Sequence, residues 1–415
     1  MGISSPCKKE SSFKKIRIIL NIKIQTMDNV KYGIVGLGNM GRAHRENILS
    51  GKVKGVDLTA ICDVSGSLPD KIEGESQFTD VDEMINSGLI DAIHICTPHP
   101  SHREIGIKSL EANLHVLMEK PLAVDKADCE ALINAYEKTG QKKVFAAMFN
   151  QRTDPHYKTL KRLIDSNDLG EIRRIHWSVT DWFRTEYYYA MGGWRATWKG
   201  EGGGVLLNQC PHNLDLFQWL FGMPEEVTGF LGFGRYHQIE VEDDATLYFK
   251  YNDGKNATFI TSTGESPGVN RLEVISERGV LTVEDGLIKW ERNETQTSEF
   301  SLQSMSGFSK PDTWKVEIPI NGRGGQHVEI MQNFINSISN GEELISPAVE
   351  GIHSVELANA ALLSAWESKP IQLPMDAKKY SSILKEKGDT STFQKKKIDA
   401  KATASADDFA QSNKT

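Results

Sequence analysis

Cysteine is scarce, and what there is cannot staple a fold. The five cysteines in 415 residues (Cys7, Cys62, Cys96, Cys129, Cys210) are odd in number, scattered and without a C-x-x-C pair. That usage excludes a disulfide framework and the common zinc motifs; it fits reduced thiols in a cytoplasmic protein, with no metal expected. Long apolar runs are missing too. Nothing approaches the roughly 18 consecutive apolar residues that mark a membrane span, so no membrane partner is expected. Positive charge is also short: 48 Lys and Arg face 56 Asp and Glu, a formal net charge of -8 that disfavours nucleic acid and leaves small-molecule chemistry.

What is present is ordinary globular composition, 39% hydrophobic and 25% charged, in a chain too long for one core. Two domains are expected. The early segment "FKKIRIILNIKI" begins like a secretory leader, but Lys23 interrupts its apolar part and no small-residue cleavage site follows. Residues 1–29 therefore read as an unstructured extension, with Met27 an alternative start.

From Lys31 apolar strands alternate with amphipathic helices, which predicts right-handed crossovers and a parallel, doubly wound sheet over residues 30–149. After Asn150 the texture changes to short alternating strands, with Asn252-Asp253-Gly254-Lys255 as a hairpin signal. The expectation is α/β followed by α+β: a Rossmann domain, then a domain over 150–377 with a large open, mainly antiparallel sheet. Residues 378–415 are polar and read as a disordered tail.

In "GIVGLGNMG" the glycines at 36, 38 and 41 form G-x-G-x-x-G between a strand and a helix, with Asn39 and Met40 opening the helix. The first glycine permits the tight turn, the second lets a pyrophosphate approach the backbone, and the third lets helix pack on strand. Asp63 ends the next strand, where an acid accepts ribose hydroxyls; no Arg or Lys follows in Val64–Ser67, favouring NAD over NADP.

These features together with "ICTPHPSH", "MEKPLAV" and "GEGGGVLLNQCPHNLDL" resemble the Gfo/Idh/MocA family of oxidoreductases, over about Lys31 to Tyr380. The resemblance implies NAD(P)-dependent hydride transfer to or from a secondary hydroxyl of a sugar, glycoside or cyclitol, in a homodimer or homotetramer. It implies that Glu119 lies beside the nicotinamide ribose and that Lys120 contacts the reacting hydroxyl. Pro121 then fixes the backbone, with a cis bond admissible there. Thr97, Pro98 and His102 match positions near the cofactor, although His102 equally suits stabilising the following helix. His212 matches the proton acceptor. Where many members carry aspartate, this chain has Asn208, which orients substrate or imidazole, caps the helix, or does both. It cannot contribute charge.

Asn150 and Arg152 fall at the domain junction, placed either to bond substrate or to tie the halves together. Among the aromatics from Trp182 to Trp198, Trp194, Arg195 and Lys199 are expected to line the substrate entrance; core or interface packing is the competing reading. Two rival functions remain open: redox-neutral cycling of a tightly held NAD, and a non-catalytic sugar or dinucleotide sensor.

Overall fold

The computed structural model describes residues 29–191 and 193–395. The expected N-terminal extension, apart from Asn29, and residues 396–415 of the expected tail lie outside the described residues.

The first half runs β1 (Val30–Val35), α1 (Asn39–Leu49), β2 (Val56–Cys62), β3 (Ser76–Phe78), α2 (Val81–Ile85), β4 (Ala92–Ile95), α3 (His102–Glu111), β5 (His115–Met118), α4 (Lys126–Lys138) and β6 (Phe145–Ala147). All six strands pair in parallel, in the order β3-β2-β1-β4-β5-β6. Every residue of β4 is buried, as a strand covered on both faces requires. The chain reverses its winding between β1 and β4, and such a switch point opens a crevice at the carboxyl ends of those strands. The edge strand β3 escaped the sequence pattern because its three residues are only half-buried.

The second half contains α5 (Pro155–Asp165), β7 (Ile172–Val179), α6 (Glu186–Ala190), α7 (Val205–Asn208), α8 (Pro211–Phe221), β8 (Glu226–Phe233), β9 (Glu242–Lys250), β10 (Asn256–Ser262), β11 (Asn270–Ser276), β12 (Gly279–Glu284), β13 (Leu287–Asn293), α9 (Thr297–Gln303) and β14 (Thr313–Ile318). It closes with α10 (Gln326–Asn340), α11 (Gly351–Glu367), β15 (Ile371–Gln372) and α12 (Ala377–Thr390). Nine strands form one sheet, β14-β13-β12-β11-β7-β10-β9-β8-β15, antiparallel except where β7 meets β10. The expected hairpin joins β9 to β10. Leu160, Phe217 and Leu357 from α5, α8 and α11 share a core with Trp177 and Phe259 of the sheet, while Phe230 and Tyr248 remain exposed.

Two boundaries read from sequence need correction. Helix α10 falls within 150–377 in sequence, yet its Ile330, Met331 and Phe334 pack with Tyr32 and Ile34 of β1, so the chain returns to cover the Rossmann sheet. The expected tail from 378 begins instead with α12. Asp376 accepts from the Lys379 amide at its N-terminus, and Tyr380 is buried with its ring stacked on Trp366, 5.4 Å between centroids. Tyr380, Ile383 and Leu384 form a helical apolar face that the polar average concealed. Among the described residues no helix is long and apolar enough to cross a membrane.

Candidate active site

The glycine turn after β1 is built by close approach. Gly36 has φ +88°, and a Cβ there would lie 2.8 Å from the backbone of Cys96; one on Gly41 would lie 1.9 Å from the Gly36 carbonyl. A Cβ on Gly38 would meet nothing within 4 Å, leaving backbone open beside Asn39 and Met40 at the start of α1. That is a fitting seat for a pyrophosphate. Asp63 Oδ2 accepts from the Leu37 amide at 2.7 Å, and Oδ1 accepts from Ser65 N and Oγ. Partial burial opposes ionisation, but those bonds and nearby Arg42 outweigh it and hold the carboxyl below its usual range. The Arg42 guanidinium, which sequence reading overlooked, donates to the Leu37 and Ser67 carbonyls.

Strand β5 delivers the expected Glu119-Lys120-Pro121, with the Lys120–Pro121 bond cis. Lys120 Nζ donates to the Asn208 carbonyl at 3.0 Å. Burial lowers its pKa against the pull of Glu119, and Arg184 and Arg195 push the same way as burial. Half-buried His212 sets its ring edge against Phe149, 6.3 Å between centroids, and its Nδ1 has no partner among the described residues. Burial, then the nearby Lys120 charge, drives its pKa well below 6.5, so the imidazole is neutral at pH 7. A neutral imidazole from the second half thus lies within electrostatic reach of an amine from the first.

The segment "EGGGVLLN" presents Asn208. A Cβ on Gly204 would lie 1.9 Å from the Glu242 carbonyl, so only glycine lets this turn pass under β9. Glu242 Oε1 accepts from Leu206 N, and Glu201, also buried, accepts from the Asn208 side-chain amide. Asn208 and His212 do not lie on one continuous helix. Helix α7 ends at Asn208 and α8 begins at Pro211, whose ring ends hydrogen-bond continuity. Nor does Asn208 cap α8, whose N-cap residue is Cys210, with no side-chain cap.

Trp194 sets its ring edge against His99, 4.9 Å between centroids, and the Arg195 guanidinium lies over Trp194 and Tyr188 at 4.7 and 5.0 Å. These two do approach the loop after β4. Lys199 lies elsewhere. It packs under α12, where a Cβ on Gly388 would lie 3.4 Å from its Cα. Trp182, Tyr189 and Trp198 are core. Arg152 is withdrawn from the substrate set: it is 1% exposed and donates to both oxygens of Asp215, to Glu350 and to the Ile345 carbonyl. Asn150 is buried and donates to Gln326. His102 sits between the Thr97 and Pro121 carbonyls, each at 2.9 Å, and so bridges the loops after β4 and β5.

Sequence reading missed a buried group behind β5. Glu119 Oε1 meets His44 Nε2 at 2.7 Å; burial alone would raise its pKa, but His44 and the neighbouring imidazoles hold it well below the carboxylate range. One donor atom from each of His44, His94, Cys96 and Glu119 lies within 4.8 Å of the others. Helix α1, strand β4 and the loops after β4 and β5 supply them, so no spacing motif could show them. The signal available was a polar residue at 44 on the face of α1 that buries Gly41 and Ile48.

Residues 30–147 match the family model for the oxidoreductase family with an NAD-binding Rossmann fold, and residues 157–282 match the GFO/IDH/MocA C-terminal domain. Inositol 2-dehydrogenase of Salmonella typhimurium is 34% identical over 152 residues, a stretch spanning 35% of this chain and 45% of that relative. This chain thus matches under half the length of that relative. Inositol 2-dehydrogenase of Rhizobium meliloti is 23% identical across 83% of this chain and 99% of its own. Among solved structures, the WlbA dehydrogenase of Chromobacterium violaceum, in complex with NADH and UDP-GlcNAcA, superposes with a TM-score of 0.72 at 26% identity, covering 85% of this chain and 98% of that one. With both domains matched and the glycine turn and β5 motif in place, the chain belongs to the Gfo/Idh/MocA family, and its first half is an NAD-binding Rossmann domain.

Proposed function

We propose that the protein is an NAD-dependent dehydrogenase of a secondary hydroxyl on a sugar, glycoside or cyclitol. The observation that carries this reading is the meeting of Lys120 with the Asn208 carbonyl beside a neutral His212. Gly36, Gly38 and Gly41 cradle the pyrophosphate, Asp63 takes the adenosine ribose, and Thr97 and Pro98 flank the remaining cofactor. NAD, when bound, supplies the hydride acceptor. Lys120 Nζ donates a hydrogen bond to the substrate hydroxyl and stabilises negative charge growing on its oxygen. The His212 imidazole takes the hydroxyl proton; a base that is neutral at working pH is what that step needs. Trp194 offers a ring face to substrate C–H groups and Arg195 offers donors to its hydroxyls.

The names of the relatives support the substrate class: inositol dehydrogenases by sequence, and a sugar-nucleotide dehydrogenase by structure. A homo-oligomer built on the open sheet face would cover Phe230 and Tyr248, which are exposed in the single chain. The free thiols of Cys62, Cys96, Cys129 and Cys210 suit a reducing, cytoplasmic setting. A panel of hexoses, glycosides, sugar nucleotides and inositols, supplied with NAD or NADP and followed by reduced-cofactor absorbance, tests the reading. Turnover with NAD that Lys120→Met abolishes supports it. Cofactor that stays bound while substrate is consumed without net NADH would favour redox-neutral cycling. No turnover, with ligand binding indifferent to Lys120→Met and His212→Gln, would favour a sensor.

A further inference from the structure

The side chain that holds Asn208 is itself unusual. Glu201 is 1% exposed, and its two carboxylate oxygens accept from neutral donors, the Asn208 amide and the Ala196 backbone N–H at 2.7 Å. Burying a carboxylate is costly, and a fold that needed only a hydrogen bond here could obtain it from an amide. Its partners explain what the charge does. Helix α7 has four residues, with a glycine turn before it and a break after it, so its own hydrogen bonds cannot fix where the Asn208 carbonyl points. Ala196 has φ +66°, a left-handed conformation that alanine keeps only when its surroundings hold it.

We propose that Glu201 is a positioning residue for the proposed reaction, fixing through Asn208 the carbonyl on which Lys120 rests and through Ala196 the loop that carries Trp194 and Arg195. This rests on the dehydrogenase reading. A single buried carboxylate then keeps the amine that meets the substrate oxygen and the aromatic wall of the site in one register. The loop is held from its other side by Lys395, which donates to the Met191 and Arg195 carbonyls.

The charges facing Glu201 set when it works. Burial pushes its pKa up to about 7, against the Ala196 and Asn208 bonds and the positive charges of Arg195 and Lys395. Glu242 across the glycine turn and Tyr189 of α6 also lie within its electrostatic reach. A protonated Glu201 turns one oxygen into a donor facing a donor, so one of its two bonds must be released.

Three variants test this: Glu201→Gln, Asn208→Asp, and the exchange Glu201→Gln/Asn208→Asp, which keeps a carboxylate–amide pair in reversed order. With the substrate found above, Glu201→Gln is expected to lower kcat at least about tenfold, with little change in KM or NADH affinity. It should also remove an inflection near pH 7 from the kcat profile while leaving the lower one set by His212. Asn208→Asp, which opposes two carboxylates, should lose as much, and the exchange should recover most of the loss. Independently of turnover, acylation of Lys120 read by mass spectrometry should be faster in Glu201→Gln and near the parent rate in the exchange variant. Parent kcat, pH profile and Lys120 labelling in Glu201→Gln would overturn the proposal. So would an exchange variant that is folded by its melting curve but as impaired as the single changes. If no polyol is turned over, the dehydrogenase reading fails, and the labelling arm alone decides whether Glu201 positions Lys120.

Discussion

The Lys120 ammonium donates to the backbone carbonyl of Asn208 at 3.0 Å, joining the end of a Rossmann strand to the end of a four-residue helix in the other half. A backbone carbonyl cannot be mutated away and carries no proton, so it orients the amine without competing for its charge. Burial lowers the lysine pKa, which makes the ammonium a stronger hydrogen-bond donor to a substrate oxygen. Lys120→Met is expected to cut kcat by about 10²- to 10³-fold, the range for loss of one donor to a developing oxyanion, while NADH still binds. Lys120→Arg should not rescue it, because a planar guanidinium cannot replace a compact ammonium held between the Asn208 carbonyl and a substrate oxygen. Steady-state kinetics and an NADH fluorescence titration read both.

His212 gives the pH dependence its sign. Its folded-state pKa lies well below 6.5, so the imidazole is the free base at neutral pH and is lost as a proton acceptor only when acid protonates it. The kcat profile should therefore fall on the acid side, with an inflection below 6.5, and His212→Gln should abolish that limb along with most of the rate. An inflection below 6.5 that survives in His212→Gln would move the proton acceptor elsewhere.

The glycines of the turn separate folding from binding. A Cβ on Gly41 would lie 1.9 Å from the Gly36 carbonyl, whereas one on Gly38 would meet no protein atom within 4 Å. Gly41→Ala should lower both the melting temperature and NADH affinity, since α1 must move away from β1. Gly38→Ala should melt within about 2 °C of the parent, as a methyl group in open space costs little folding energy. It should nevertheless weaken NADH binding at least about tenfold, because the second glycine is where the pyrophosphate meets backbone.

Much of this was legible in the chain because local chemistry carried it. The glycine turn, the hairpin at Asn252-Asp253-Gly254-Lys255 and the arrival of Glu119 and Lys120 at a strand end each follow from a few adjacent residues. What stayed hidden depends on residues far apart in sequence. Glu201 lies only seven residues from Asn208, yet its contact exists because three glycines fold the chain back beneath β9. The Arg152–Asp215 pair spans 63 residues and the packing of α10 on β1 nearly 300, separations at which periodicity says nothing. Helix α12 was missed for a different reason: its apolar face, Tyr380, Ile383 and Leu384, is too narrow to change the average of a lysine-rich segment.

Arg152 should prove structural. Its guanidinium grips both oxygens of Asp215 at 2.6 and 2.7 Å with both side chains buried, and it reaches Glu350 besides. Arg152→Met leaves Asp215 charged and unpaired in the interior, which should cost about 3–5 kcal/mol in denaturant unfolding. Arg152→Met/Asp215→Leu removes the stranded charge and should recover much of the loss. In both variants KM for substrate should change less than stability does; a selective rise in KM would return Arg152 to the substrate site.

Glu242 allows the cleanest stability measurement. The carboxyl is fully buried, its Oε1 accepts from Leu206 N, and its Oε2 has no partner among the described residues. Burial raises its pKa from 4.5 to about 7. Between those values the native state holds a proton that the unfolded chain has released, so stability from this group is fully present below 4.5 and is lost as pH rises through 7. A shift of that size corresponds to at most about 3 kcal/mol. Glu242→Gln keeps an oxygen for Leu206 and removes the titration, so it should be no more stable than the parent at pH 5 but more stable at pH 8. His94, His99 and His212 are held neutral by burial and give the opposite slope, but both proteins contain them and the difference cancels their effect. Melting curves of the pair at pH 5 and pH 8 therefore report Glu242 together with its repulsion of Glu201. A pH-independent gap between them would mean that Glu242 is already ionised at pH 5 in the fold.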